Sequence, residues 1–166
     1  MRSLVLVLVI LVPTLVFSDQ WRYPGKLESK EFDFGETKIV RIVDSREDQQ
    51  YPNFRVDVFT KGELVGRFGG VYFQDIAATK ENSVFVGISN IGLPNTAIIL
   101  FDNRGRIHAI VDHSEKFEYC TRTSTIVRNW YYGEKPSLQF VGADQVSDIQ
   151  VIGCKGKVIS LSEYLK

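Results

Sequence analysis

Apolar and polar residues alternate along most of this chain, and the alternation has a period of two. It is clearest at residues 38–43, 54–59, 63–68, 83–88, 97–101, 106–111, 125–132, 137–141, 148–152 and 157–161. Period two places successive side chains on opposite faces of a strand, whereas no segment sustains the 3.6-residue spacing of a helix. Three of these runs are folded back on themselves by a short polar turn ending in glycine, at Gly62, Gly105 and Gly156. Glycine supplies the positive φ that a tight hairpin turn needs. The pattern predicts an all-β chain, an antiparallel meander of about ten strands.

The turn glycines are separated by 43 residues and then by 51, about the length of one four-stranded propeller blade. Two full blades can be drawn, one from 70–73, 83–88, 97–101 and 106–111, the other from 125–132, 137–141, 148–152 and 157–161. The part before Gly69 makes a shorter unit from 39–43 and the hairpin at 54–68. Three such sheets are too few to close a ring, so the expectation is an open, partial propeller-like lobe of blade-like sheets whose edges need protection. The alternative is a β-sandwich with the same strands. Short helical turns fit only at 114–119 and 160–165.

Residues 1–18 carry Arg2, an unbroken apolar run at 4–11, Pro13, and then Val16 and Ser18 before Asp19. That is the order of a secretory signal peptide, and the run is short for a membrane span, which needs about 20 apolar residues. Cleavage leaves residues 19–166 as a single β domain, without a stable membrane span and in a periplasmic or secreted location; retention as an anchor is the competing reading. Two cysteines in an exported chain predict a Cys120–Cys154 disulfide. A loop of about 35 residues closed in this way is worth roughly 3 to 4 kcal/mol by chain entropy.

Lys and Arg number 20 against 20 Asp and Glu. Nucleic-acid binding needs a basic excess, so this balance argues against it. His108 and His113 offer no metal-ligand spacing, there is no nucleophile elbow, and Gly69-Gly70 precedes no helix that would make a phosphate cradle. The chain therefore reads as a binding protein with no catalytic residues, no metal and no cofactor. Two stretches suit recognition. Residues 89–96 form a long connection mixing apolar and polar groups, with Ser89, Asn90, Ile91, Leu93, Asn95 and Thr96 as candidate partner contacts. Its length exceeds what a hairpin requires, and Pro94 stiffens it. The consecutive Trp130, Tyr131 and Tyr132 must split between the two faces of a strand, leaving at least one ring for a ligand, a glycan or a protein.

Gly69-Gly-Val-Tyr-Phe73, the strand at 83–88, the loop at 89–96 and Ala97-Ile-Ile-Leu-Phe-Asp102 together resemble the central stretch of periplasmic immunity proteins, the inhibitors of type VI secretion peptidoglycan amidase effectors. About 35 residues carry the resemblance. It implies an exported inhibitor whose serine-bearing loop inserts into the active site of a hydrolase effector, with Ser89 and Asn90 in the place of the plugging serines and Asn95 and Thr96 flanking them. The present loop is longer, holds one serine and Pro94, and the chain has only two cysteines.

Overall fold

The computed structural model describes residues 25–46, 52–79, 82–91, 95–113, 120–122, 128–131, 137–141 and 148–161. The expected leader at 1–18 and the expected helical turn at 114–119 lie outside these residues; of the turn expected at 160–165, Ser160 is in a strand and 162–165 lie outside them. Among the described residues every regular element is a strand except one short 3-10 turn.

The first four strands, β1 (Leu27–Phe34), β2 (Thr37–Asp44), β3 (Asn53–Thr60) and β4 (Glu63–Gly69), form an antiparallel sheet in chain order. The next four, β5 (Asp75–Ala78), β6 (Val84–Ile88), β7 (Thr96–Asp102) and β8 (Ile107–Asp112), repeat that order in a second sheet. β9 (Thr121–Arg122) pairs with β10 (Arg128–Asn129), and β11 (Ser137–Val141), β12 (Asp148–Ile152) and β13 (Val158–Ser160) make a third antiparallel sheet. The chain is thus all-β with antiparallel sheets packed in sandwich-like layers, and these sheets do not close into a barrel.

The middle layer is the second sheet. Phe85, Ile99 and Phe101 point toward Ile39, Val56 and Val58 of the first sheet, with Val71 and Phe73 between them. Val84, Val86, Ile88, Ile98 and Leu100 point the other way, toward Trp130, Tyr131, Val151 and Leu161. Both faces of β6 and β7 are therefore buried, which is why these strands read as nearly continuous apolar runs. Ile98, Leu100 and Val151 are fully buried; the side chain of Ile149 lies outside the described set.

The expected hairpins form at all three glycines. Lys61 and Gly62 both have positive φ in the β3–β4 turn, as a type I′ connection requires. Gly105 has φ 74 beside β8, and Gly156, with φ 75, ends a 3-10 turn (Cys154–Gly156) that itself connects β12 to β13.

Three strand expectations need correction. β1 is a full strand although only Leu27, Phe32 and Phe34 among its residues are apolar, so the first unit is a complete four-stranded sheet. Residues 70–73 are not a strand: Gly70 turns the chain with φ 73, and buried Val71 and Phe73 fill the space between sheets while β5 takes the pairing beside β6. Of the run at 125–132, Arg128 and Asn129 pair with β9, Trp130 and Tyr131 follow the strand, and 125–127 and 132 lie outside the described residues.

The strand edges at β4 and β8 are irregular. Pairing shifts between Val58 and Phe59 insert Val65 as an extra residue in β4, and a shift between Leu100 and Phe101 does the same for His108 in β8. Such bulges twist an edge away from further pairing. Beside the β4 bulge the backbone of Gly66 lies against the β7–β8 turn, where an added Cβ would meet the Arg104 carbonyl oxygen and come within 2.7 Å of the Gly105 Cα. Both obstacles are backbone. Gly66→Ala is therefore expected to force the two sheets apart at this corner and lower stability by about 1–3 kcal/mol, read by equilibrium urea unfolding.

Candidate functional site

Of the connection at 89–96, the described residues Ser89, Ile91 and Thr96 are built into the core. The Ser89 side chain is fully buried, and its Oγ accepts a hydrogen bond from the Ile91 amide at 3.0 Å. The Ser89 amide donates to the Ala97 carbonyl at 2.9 Å, and its own carbonyl accepts the Trp130 indole N–H at 2.8 Å. Asn90 is half-buried and its amide donates to the Gln74 side chain, while Ile91 and Thr96 are buried. Asn95 is exposed and its carbonyl holds the His113 amide; Leu93 lies outside the described residues. The expectation that Ser89 and Asn90 protrude is corrected: Ser89 is spent on core hydrogen bonds, among them the one from the Trp130 indole, and Asn90 is half-buried beside it.

Nor do the two described aromatics, Trp130 and Tyr131, supply an exposed ring. Trp130 is 1% and Tyr131 7% exposed, and their rings meet edge to face at 4.9 Å. Once the chain leaves β10, alternation no longer applies, so both rings turn into the core; Tyr132 lies outside the described residues. The Trp130 carbonyl also accepts the Cys154 amide, and Cys154 is bonded to Cys120 with a Cα separation of 5.3 Å. The expected disulfide therefore anchors the third sheet beside Trp130.

Burial, followed by the Asp75 carboxylate, pushes the Tyr131 phenol up to about 12. An unfolded tyrosine ionises near pH 10, so the folded chain keeps a proton that the unfolded chain releases. Stability is accordingly expected to be intact below about pH 10 and to fall by up to about 1.4 kcal/mol per pH unit toward pH 12. Urea unfolding across that range checks this, with Tyr131→Phe flattening the slope.

Asp102 resembles a catalytic carboxylate only by its burial. Its Oδ1 accepts the Arg104 and Arg106 amides at 2.9 Å each, and its Oδ2 accepts Arg106 Nε at 2.8 Å. Burial pushes this carboxyl up, but the bonds from Arg106 and Arg104 outweigh it and hold the group below its usual range. His108 stands 3.9 Å away, beyond hydrogen-bond distance. The carboxylate closes the β7–β8 turn. Among the described residues no cluster of His, Cys, Asp and Glu could hold a metal.

Among the described residues, a cluster of charged groups lies on the outer face of the first sheet, away from the second. Register places Ile42 opposite Arg55, Val40 opposite Asp57, and Asp57 opposite Arg67. Asp57 is buried and takes two bonds from Arg67, Nε to Oδ1 at 2.7 Å and Nη2 to Oδ2 at 3.0 Å. At the same end Asp44 takes Arg46 Nε at 2.9 Å and Nη2 at 2.7 Å, and this arginine holds its carboxyl down at about 2. Arg55 lies between the two pairs. Its contact is one Nε to Asp57 Oδ1 at 3.4 Å, and its side chain is 47% exposed. Around it runs a groove of about 800 Å³ whose outer-face apolar side chains are Leu27, Val40 and Ile42.

None of these groups figured among the sequence candidates, and the meeting of Arg67 with Asp57 depends on the β4 bulge. Comparison with protein-family models, with curated proteins and with solved structures returns no match.

Proposed function

We propose that this chain is an exported, non-enzymatic protein-binding domain that recognises a carboxylate-bearing partner through the outer face of β1–β4. The observation that carries this reading is Arg55. Its guanidinium is half exposed in an apolar-walled groove, touches Asp57 through one nitrogen, and has its terminal nitrogens free of described partners. Arginine reads carboxylates through paired N–H groups, and arginines beside apolar walls are enriched where interfaces concentrate their affinity. Asp57 orients the stem without consuming the fork, because Arg67 already meets both of its oxygens.

A disulfide, and the lack among the described residues of any helix long and apolar enough to cross a membrane, fit a periplasmic or secreted setting. An inhibitory role toward an exported hydrolase, as the resemblance to immunity proteins implies, would be exerted through this sheet face, since the serine of the 89–96 loop is core. A glycan-binding role for Trp130 and Tyr131 loses its support with their burial.

A blocked pentapeptide of alternating leucine and glutamate, titrated into protein labelled for nitrogen NMR, tests the reading. The expected result is a saturable shift of the Arg55 Nε–H signal and of the Ile42 and Phe68 amides, absent with the glutamine counterpart. Equal shifts from both peptides, or none, would remove the face from recognition.

A further inference from the structure

Two carboxylates lie close to Arg55, and each already holds another arginine through both of its oxygens. Asp57 accepts Arg67 Nε at 2.7 Å and Nη2 at 3.0 Å, whereas Arg55 brings only Nε to it, at 3.4 Å. Asp44 accepts Arg46 Nε and Nη2 in the same two-pronged way, and the Arg55 charge acts on it from farther off. Asp57 is 5% exposed, so water does little to disperse its charge and these partners must do so. The β4 bulge brings Arg67 to it, and bulges re-aim side chains in this way beside functional sites. On the outer face Arg55 stands in one row across the strands with Ser29, Ile42 and Gly69. Gly69, beside it on β4, puts no side chain over the guanidinium.

We infer that Arg67 is a positioning residue for this face: by holding both oxygens of Asp57 it reserves the Arg55 fork for a partner, and the paired Asp57 limits that partner to a singly charged side-chain carboxylate. This rests on the reading of the face as a recognition surface. A buried carboxylate that loses its two-pronged arginine draws in the nearest guanidinium that remains, and here that is Arg55. With Arg67 in place, Asp57 is already satisfied and Arg55 keeps its terminal nitrogens for the groove. The trio of two arginines and one aspartate then offers one positive charge, carried by Arg55. An incoming carboxylate cancels it. A phosphate dianion brings a second negative charge close to Asp57, and Arg67 is already engaged, so like-charge repulsion selects against it. Small Ser29 and bare Gly69 leave the Arg55 row open at both ends, so a chain can run past the guanidinium and present a side chain to it.

Titrations of the blocked leucine–glutamate peptide and of its phosphoserine counterpart, at about pH 8 where the phosphate is doubly charged, test this on the wild type and on variants whose melting transitions show them folded. The wild type is expected to bind the glutamate peptide at least tenfold, or about 1.4 kcal/mol, more tightly than the phosphoserine peptide. Arg67→Gln is expected to weaken the glutamate peptide by a similar factor and to move the Arg55 Nε–H signal of the free protein, as Asp57 takes that guanidinium over. Asp57→Asn combined with Arg67→Gln leaves no carboxylate to draw Arg55 in, and is expected to recover the glutamate affinity to within about threefold of wild type, a rescue that a merely structural Arg67 would not give. Asp57→Asn alone releases Arg67 as well, and should turn the preference toward the phosphoserine peptide. Arg67→Lys, which keeps the charge without the two-pronged geometry, serves if Arg67→Gln does not fold and is expected to weaken the glutamate peptide by a smaller factor. Unchanged glutamate binding in the Arg67 variants, no recovery in the double variant, or equal binding of the two peptides by the wild type would overturn the inference. A wild type that binds the glutamate peptide through Arg55 and is indifferent to Arg67 defeats this inference alone; a wild type that binds neither peptide defeats the recognition reading with it.

Discussion

Replacing Phe101 with alanine is expected to lower the unfolding free energy by about 3–5 kcal/mol, the largest effect of any single change in the first two sheets. Phe101 is fully buried on β7 and is the ring on which three others converge: Phe68 at 5.1 Å edge to face, Phe85 at 5.5 Å and Phe73 at 6.2 Å, the last two stacked. These neighbours come from β4, β6 and the 70–73 crossing, so one truncation loosens the contact between both sheets and their connection. The hole cannot collapse easily, because Gly66 already presses its backbone against the β7–β8 turn. Equilibrium urea unfolding followed by circular dichroism reads the loss. Phe101→Leu, which keeps apolar volume, should lose clearly less.

Trp130→Ala is expected to cost a similar 3–5 kcal/mol, through a different mixture of causes. Its ring fills the space between the second sheet and Val151 and Leu161, its indole N–H holds the Ser89 carbonyl, and its own carbonyl holds the Cys154 amide. Removing the ring opens a cavity and strands a buried carbonyl. Trp130→Phe separates the two: most of the apolar fill remains, and the loss falls to about 1–3 kcal/mol, the penalty of an unsatisfied buried acceptor. If the third sheet melts as a unit, hydrogen exchange in the alanine variant should rise first at β12 and β13, with the β1–β4 amides protected as before.

The difference between what was legible in the residues and what was not follows from the range of the interactions. Period-two alternation and positive-φ glycines are local, so the strands of the Gly62 and Gly105 hairpins and the all-β class can be read directly. β1 escaped notice because Glu28, Ser29, Lys30, Glu31 and Asp33 break its apolar pattern; it is held by pairing to β2 and by Phe32 and Phe34 on the second sheet. The loop at 89–96 looked like a recognition element because its polar groups invite solvent. Ser89 instead spends its hydroxyl and its carbonyl inside the core, and the donor that makes this possible is an indole 41 residues away. The pairing of Arg67 with Asp57 on the outer face was hidden by a single residue. A two-residue turn at Lys61 and Gly62 with no irregularity would set Asp57 opposite Gly66 and Arg67 opposite Val56, on the buried side. The extra Val65 shifts the register so that Arg67 meets Asp57 on the outer face.

The most direct test of recognition by the sheet face, as against the loop, is a paired measurement on Arg55→Gln and Ser89→Ala: the melting temperature of each, and its dissociation constant for the leucine–glutamate peptide. Arg55→Gln should leave the melting temperature within a few degrees of wild type, as exposed substitutions do, and weaken the peptide at least tenfold. Ser89→Ala should melt lower, having lost a buried hydroxyl bond, and bind the peptide as wild type does. The reverse pattern, with binding lost on Ser89→Ala at an unchanged melting temperature and kept on Arg55→Gln, would return recognition to the 89–96 loop and contradict the account.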